Sequence, residues 1–147
     1  MKKIILSLCV LAISSAALFA TDQPVNNPKA HETFRKEFSG AQSVNWSLEG
    51  QFAKASFVLG GNSAIAWFDG EGALVGSMRD LSYNQLPLVV MTSLEKRFPQ
   101  AASIDIREIT NDDGTRYKLT IEHNAKKFKV ALYPDGTIES VQRVKKG

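Results

Sequence analysis

Leu81-Ser-Tyr-Asn-Gln-Leu-Pro-Leu-Val-Val-Met-Thr-Ser-Leu-Glu-Lys-Arg-Phe-Pro99 is the stretch that organises the chain. Pro87, Val90, Met91, Leu94 and Phe98 recur at spacings of three and four, the signature of an amphipathic helix with one apolar face. Pro87 is tolerated only in a first helical turn, where its missing N–H has no intrahelical partner, so the pattern predicts a start near Asn84 or Gln85. Pro99 ends the helix, because the residue before a proline avoids helical angles. The helix separates two stretches that resemble each other, and it opens the second.

Upstream, Asn27 before Pro28 is a helix-start pair: a capping side chain followed by proline at the first helical position. Ala30, Phe34 and Phe38 follow at intervals of four, and Gly40 is a suitable stop. Alternating runs then predict strands. Val44, Trp46 and Leu48 share one parity, which places Trp46 in the core. Phe52–Leu59 and Ala64–Phe68 flank the hairpin turn Gly60-Gly61-Asn62. The turn Asp69-Gly70-Glu71-Gly72 leads to a fourth strand, Ala73–Met78.

The second half repeats this order. Sixty residues on, Phe34, Phe38, Ala41, Val44 and Trp46 become Leu94, Phe98, Ala101, Ile104 and Ile106. A longer hairpin at Asn111-Asp112-Asp113-Gly114 adds four residues. At the resulting offset of sixty-four, Ala53, Ala55 and Phe57 become Tyr117, Leu119 and Ile121, while Gly72 becomes Gly136. A helix with a short sheet cannot bury its apolar face alone. The expectation is therefore an α+β fold in which two tandem helix-plus-antiparallel-sheet halves, about 28–80 and 84–144, form one domain with the helices on one face of the sheet.

The strand faces follow from alternation. In the second half Tyr117, Leu119, Ile121, Phe128, Val130 and Leu132 point to the helices, and Lys118, Thr120, Glu122, Lys127 and Lys129 to water. In the first half the helix-facing set is small: Ala53, Ala55, Ala64 and Ala66, with Phe57 and Phe68. The opposite face carries Phe52, Val58, Ile65 and Trp67 among Lys54 and Ser56. Four sizeable apolar residues on a face that should be wet make a candidate partner-binding patch. Trp67 is either its anchor, since aromatic residues dominate interface hot spots, or a residue over which a loop or the N-terminal lead folds.

The N-terminus reads as an export signal. Lys2 and Lys3 precede an apolar run from Ile4 to Leu18, and small residues near its end point to cleavage after Ala20. The run is short of a membrane span. Thr21–Asn27 is a polar, flexible lead, followed by the domain at 28–147. The 147-residue chain holds one cysteine, Cys9, which leaves with the signal. An exported domain of 127 residues without disulfides depends on its hydrophobic core, and this length suffices to bury roughly two thirds of the unfolded surface. Loss of Lys2 and Lys3 lowers Lys plus Arg from 18 to 16 against 15 acidic residues, a net charge of +1. The whole-chain pI of about 9.0 thus overstates basicity, and nucleic acid is not an expected partner.

Phe38-Ser39-Gly40-Ala41 before Val44-Asn45-Trp46, Ala66-Trp67-Phe68-Asp69 with Gly72, Tyr83 to Leu86-Pro87, Arg97-Phe98-Pro99-Gln100-Ala101 and Leu132-Tyr133-Pro134-Asp135-Gly136 together resemble the PepSY-like family of exported bacterial proteins. Gln85 stands where that family often carries an acidic residue. The resemblance covers nearly the whole mature chain. It implies a fold similar to the β-lactamase inhibitor proteins, an antiparallel sheet with helices on one face and an open other face, which in the inhibitors grips a partner protein. Fold alone does not carry function.

Catalytic signatures are not found. His31 and His123 have no second ligand at metal spacing and read as surface histidines. No serine sits in a nucleophile elbow, and the mature chain has no cysteine nucleophile. Asp69, Glu71, Asp112, Asp113 and Asp135 lie beside turn glycines, as ordinary hairpin chemistry requires, and their spacing matches no calcium loop. Lys126, Lys127, Lys129, Arg143, Lys145 and Lys146 read as a solvated strand face and tail. Neither a catalytic residue, a cofactor nor a metal is expected. The leading expectation is a non-enzymatic periplasmic or secreted binding module, a plain binder or an inhibitor, that holds a protein or peptide. A self-associating structural protein of the cell envelope, in which the patch pairs two copies, is the alternative. A small-ligand carrier or enzyme comes third.

Overall fold

The computed structural model describes residues 25–145. The expected export signal and its cleavage point, lead residues Thr21–Pro24, and Lys146 lie outside the described residues. The chain runs α1 (Pro28–Glu37), β1 (Gln42–Glu49), β2 (Phe52–Leu59), β3 (Asn62–Phe68), β4 (Leu74–Asp80), a 3-10 turn at Tyr83–Gln85, α2 (Leu88–Arg97), β5 (Ala102–Asn111), β6 (Gly114–His123), β7 (Lys126–Leu132) and β8 (Ile138–Arg143). All eight strands form one sheet in sequential order, each antiparallel to the next. β1 and β8 are its edges.

Asn27 caps α1 as its sequence indicates. Its Oδ1 accepts the Ala30 N–H at 3.0 Å, and Pro28 occupies the first turn. The Asn27 amide also donates to the Asp69 carbonyl at 3.1 Å, tying the helix start to the β3–β4 turn. Val25, within the stretch read as flexible lead, is buried against α1 and the first-half strands.

The second helix begins later than its pattern suggests. Pro87 is not in the first turn but is the N-cap of α2, with φ −55° and ψ 140°. Proline excludes helical angles from Leu86, which is extended at ψ 148°. The chain therefore makes a separate 3-10 turn, closed by the Gln85 side chain accepting the Ser82 N–H at 2.8 Å, before α2 starts. The apolar face is as read: Val90, Leu94 and Phe98 are buried, and Met91 is half-buried against them.

Two apolar clusters form. α1 lays Ala30 and Phe34 on Ala53, Ala55, Phe57, Ala64, Ala66 and Phe68. α2 lays Val90, Leu94 and Phe98 on Tyr117, Leu119, Ile121, Val130 and Leu132. The two are filled differently. Strand alanines in the first leave room for rings: Phe34 meets Phe57 edge-on at 4.9 Å and Phe68 at 6.3 Å. Larger strand residues, Leu119, Ile121, Val130 and Leu132 among them, fill most of the second, and Val90 and Leu94 of α2 complete it with Phe98 at the helix end.

One expectation for β1 fails. Val44 and Leu48 share the parity of Trp46, yet are 39% and 61% exposed. β1 is an edge strand at the limit of α1's reach. Trp46 is reached, by His31 and Phe34 of α1 with ring centroids 4.1 and 5.4 Å away, and it also packs on Phe68 of β3 at 5.6 Å. The register also breaks between Gln42 and Asn45, around Ser43 at φ 53°, a bulge that twists the edge.

The seam between the clusters is polar. The strand register aligns Ala64, Arg79, Glu108, Tyr117 and Leu132 across five strands. Glu108 accepts from Arg79 Nη2 at 3.0 Å through one oxygen and from the Tyr117 hydroxyl at 3.1 Å through the other. Burial, and then the Glu108 charge, raise the Tyr117 phenol above its ordinary pKa.

Candidate functional site

Phe52, Val58, Ile65 and Trp67 lie on the sheet face opposite Ala53, Ala55, Ala64 and Ala66, and all four are half-buried. Strand register assigns their neighbours. Trp67 stands between Lys54 and Gly76, and Ile65 between Ser56 and Met78. Phe52 opposes Glu49, and Val58 opposes Ser63 and Gln42. The four residues are therefore not one block. Phe52 and Trp67 form one end, Ile65 the middle, and Val58 sits two residues further along its strand, opposite a serine.

A polar clamp holds Trp67. Its indole N–H donates to Glu49 Oε2 at 2.9 Å, and Lys54 Nζ approaches the same oxygen at 3.2 Å. The Trp67 hydrogen bond, followed by that of Lys54, holds the Glu49 carboxyl below the usual carboxylate range. Gly76 has no side chain to cover the ring. The result is a shallow depression of about 280 Å³ lined by Glu49, Phe52, Trp67, Val75 and Gly76.

Register across the β4–β5 seam extends the apolar strip. Ile65, Met78 and Ile109 are successive partners, and Arg116 is next in the row. Met78 and Ile109 are half-buried. Sequence reasoning missed them, because their place beside Ile65 depends on how β4 pairs with β5, which alternation within one strand does not reveal. The next row runs Asp80, Arg107, Lys118, Ala131 and Ser140. Beyond it lie Asp105, Thr120, Lys129 and Gln142. These rows border a second depression of about 550 Å³, whose charged lining is Arg107, Lys118, Lys129 and Asp105. The open face is thus apolar in the first half and cationic in the second.

The remaining sequence candidates are placed as follows. His31 is not a free surface group: it stacks on Trp46 and its Nε2 lies 3.1 Å from the Val25 carbonyl oxygen. His123 meets Phe98 edge-on at 5.8 Å. Asp69 and Asp135 serve their turns, Asp69 accepting the N–H groups of Glu71 and Ala73 at 2.9 Å and Asp135 that of Thr137 at 2.8 Å. The Thr137 bonds hold the Asp135 carboxyl below its ordinary pKa. Lys126, Lys127, Arg143 and Lys145 gather with Glu122 around the β6–β7 hairpin and the end of β8. Among the described residues, no group of three or more His, Cys, Asp or Glu is placed to hold a metal ion, and no helix is long and apolar enough to cross a membrane.

No protein-family model matches the sequence, and no curated protein matches it. Solved structures do match. A BLIP-like protein from Bacteroides fragilis aligns with a TM-score of 0.68 at 21% identity, over 81% of this chain and 86% of that one. A DUF2874 family protein from Bacteroides ovatus aligns with a TM-score of 0.68 at 19% identity, over 83% and 89%. A protein from Bacteroides eggerthii described as periplasmic aligns with a TM-score of 0.66 at 16% identity, over 79% and 87%. At these identities the likeness is one of fold, and the fold is BLIP-like.

Proposed function

We propose that the protein is a non-enzymatic binding module of the periplasm whose open sheet face holds a protein or peptide, with Phe52, Val58, Ile65 and Trp67 among its contacts. The observation that carries this reading is the half-buried apolar strip Phe52, Trp67, Ile65, Met78 and Ile109 on a face that no described element covers. Water against such a strip is displaced favourably by a partner. The Glu49 clamp favours binding further, because an anchor already held in place loses little rotamer freedom on docking.

We also infer that the two halves are copies of one unit, with both helices on the same face, and that the chain is PepSY-like. Gly72 and Gly136, sixty-four residues apart, both have positive φ and both abut a helix. Gly40 and Gln100, sixty apart, both have positive φ after a helix. The export-type N-terminus, and the fold shared with a protein described as periplasmic, support the location.

The test is capture of a periplasmic partner by wild-type protein and by Trp67→Arg used as paired baits. A partner retained by the first and lost by the second supports the reading. Equal retention of every partner by both refutes it. Pairing of two copies is the second reading, favoured by the apolar side chains of Val44 and Leu48 on the edge strand β1.

A further inference from the structure

Resting on the open-face reading, we propose that the partner segment is acidic: an extended stretch of protein carrying a bulky apolar side chain for the Trp67–Ile65–Met78 strip and carboxylates for Lys118 and Lys129. Three observations carry this. The first is charge. The larger depression is bordered by three cations and one carboxylate. Arg107 is already paired with Asp80 at 3.4 Å, whereas neither Lys118 nor Lys129 enters an ion pair found among the described residues. Lys118 is close enough to help hold the Glu139 carboxylate low, but neither ammonium is held in a close ion pair; two such groups on one face attract an anionic partner and discriminate against a cationic one.

The second is continuity. Ile109 and Arg107 are two residues apart on one strand, and Arg107 opposes Lys118, so the apolar strip runs into the cationic area without a barrier. The third is reach. Trp67 and Lys118 are separated by three strand spacings and by two steps of two residues along the strands, roughly 20 Å on a sheet of ordinary dimensions. That span exceeds a single small ligand and fits about six residues of extended chain.

The test uses three labelled peptides that share a central Leu-Phe pair and differ only in flanks of glutamate, glutamine or lysine, titrated into the purified protein and read by fluorescence anisotropy. The expected result is that the glutamate peptide binds about tenfold tighter than the glutamine peptide, and that the advantage shrinks as salt is raised. Lys118→Glu combined with Lys129→Glu should abolish that advantage and favour the lysine peptide. Both positions are exposed, and unchanged thermal unfolding confirms an intact fold. Equal binding of all three peptides that is lost in Trp67→Arg overturns the acidic preference while leaving the open-face reading standing. A glutamate preference that survives the double substitution overturns the assignment to Lys118 and Lys129. Absence of any Trp67-dependent binding overturns both.

Discussion

The hydroxyl of Thr33 on α1 donates to the carbonyl oxygen of Gly72, in the β3–β4 turn, at 2.7 Å. Sixty residues after Thr33, Ser93 on α2 lies against Gly136 in the β7–β8 turn. In each half a short hydroxyl side chain of the helix thus meets a turn glycine, by a hydrogen bond in the first and by close approach in the second. The turns match in detail: Gly72 N–H donates to the Asp69 carbonyl and Gly136 N–H to that of Tyr133, both at 3.0 Å. The approach is close because neither glycine has a Cβ.

Gly72→Ala should therefore be among the most damaging small substitutions in the chain. Gly72 has φ +82°, and an added Cβ would collide with the Cβ of Lys29 and with α1 backbone atoms that cannot move independently. Strain in the left-handed region costs about 1 kcal/mol, and overpacking adds about 1–3 kcal/mol. Gly60 has φ +58° but open space around it, so Gly60→Ala should cost only the first contribution. Urea unfolding of the two variants checks this, and equal losses would refute the helix-contact argument.

The alanine-for-ring exchange in the first half predicts an asymmetry between the clusters. Ala66 is fully buried in the cluster with Phe34, Phe57 and Phe68, so Ala66→Leu, which adds three carbons there, should destabilise by about 1–3 kcal/mol. Phe68→Ala, which empties a fully buried ring site, should cost about 3–5 kcal/mol. Thermal unfolding of each variant reads the effect. A neutral Ala66→Leu would mean that the rings repack freely.

Glu108 should matter more than its location on a mid-sheet strand suggests. It is the shared acceptor of Arg79 and Tyr117, and Arg79 Nε is already buried without a partner among the described residues. Glu108→Ala strands both donors at the seam, and a loss of about 2 kcal/mol is expected. The Arg79 side chain is 38% exposed, so water relieves part of the charge cost. A double-mutant cycle of Glu108→Ala with Tyr117→Phe should show coupling. Strict additivity would refute the shared-acceptor account.

These cases show what the sequence disclosed and what it did not. The α1 cap, the buried face of α2, the succession of helices and strands along the chain and the helix-facing residues were legible, because each depends on a neighbour a few positions away or on alternation; the joining of all eight strands into one sheet was not. The separate 3-10 turn at Tyr83–Gln85 was not, since Pro87 suits a first turn and a cap equally well on spacing alone. The exposure of Val44 and Leu48 was hidden because parity does not reveal which strand is an edge. Half of the candidate face was also hidden: Met78, Ile109, Lys118 and Lys129 join Ile65 and Trp67 only through cross-strand register.

The pH profile follows from groups at opposite ends of the scale. The Glu139 carboxyl is held below its ordinary pKa, first by Arg116 and then by the Tyr133 hydroxyl, and Asp135 and Glu49 are lowered as well. A lowered carboxylate contributes stability that is present above its unfolded pKa, near 4, and is lost as pH falls through the folded value. Tyr117 is raised, by burial and then by Glu108. Its contribution is fully present below the unfolded phenol value, near 10, and is lost as pH rises through the folded value. Urea midpoints should therefore form a plateau between about pH 5 and 9 and fall on both sides. Tyr117→Phe should flatten the alkaline limb without removing it, because Tyr83 is also raised, mainly by burial. An unchanged alkaline slope would refute the role of Tyr117.

Whether the open face is free for a partner can be decided before any partner is known. The strip at Trp67 and the exposed Leu48 on edge strand β1 are two surfaces through which copies of this chain could pair. The bulge around Ser43 twists the β1 edge, and natural proteins use such bulges to prevent edge pairing. The sheet face itself carries Lys118 and Lys129, neither in a close ion pair among the described residues, which would confront like charges in a face-to-face pair. The protein should thus be a monomer by light scattering at high concentration, and Trp67→Arg and Leu48→Lys should leave its mass unchanged. A dimer dissolved by Trp67→Arg would mean that the face is occupied by a second copy, and the binding-module reading would yield to self-association. A dimer dissolved only by Leu48→Lys would assign pairing to the edge and leave the face available.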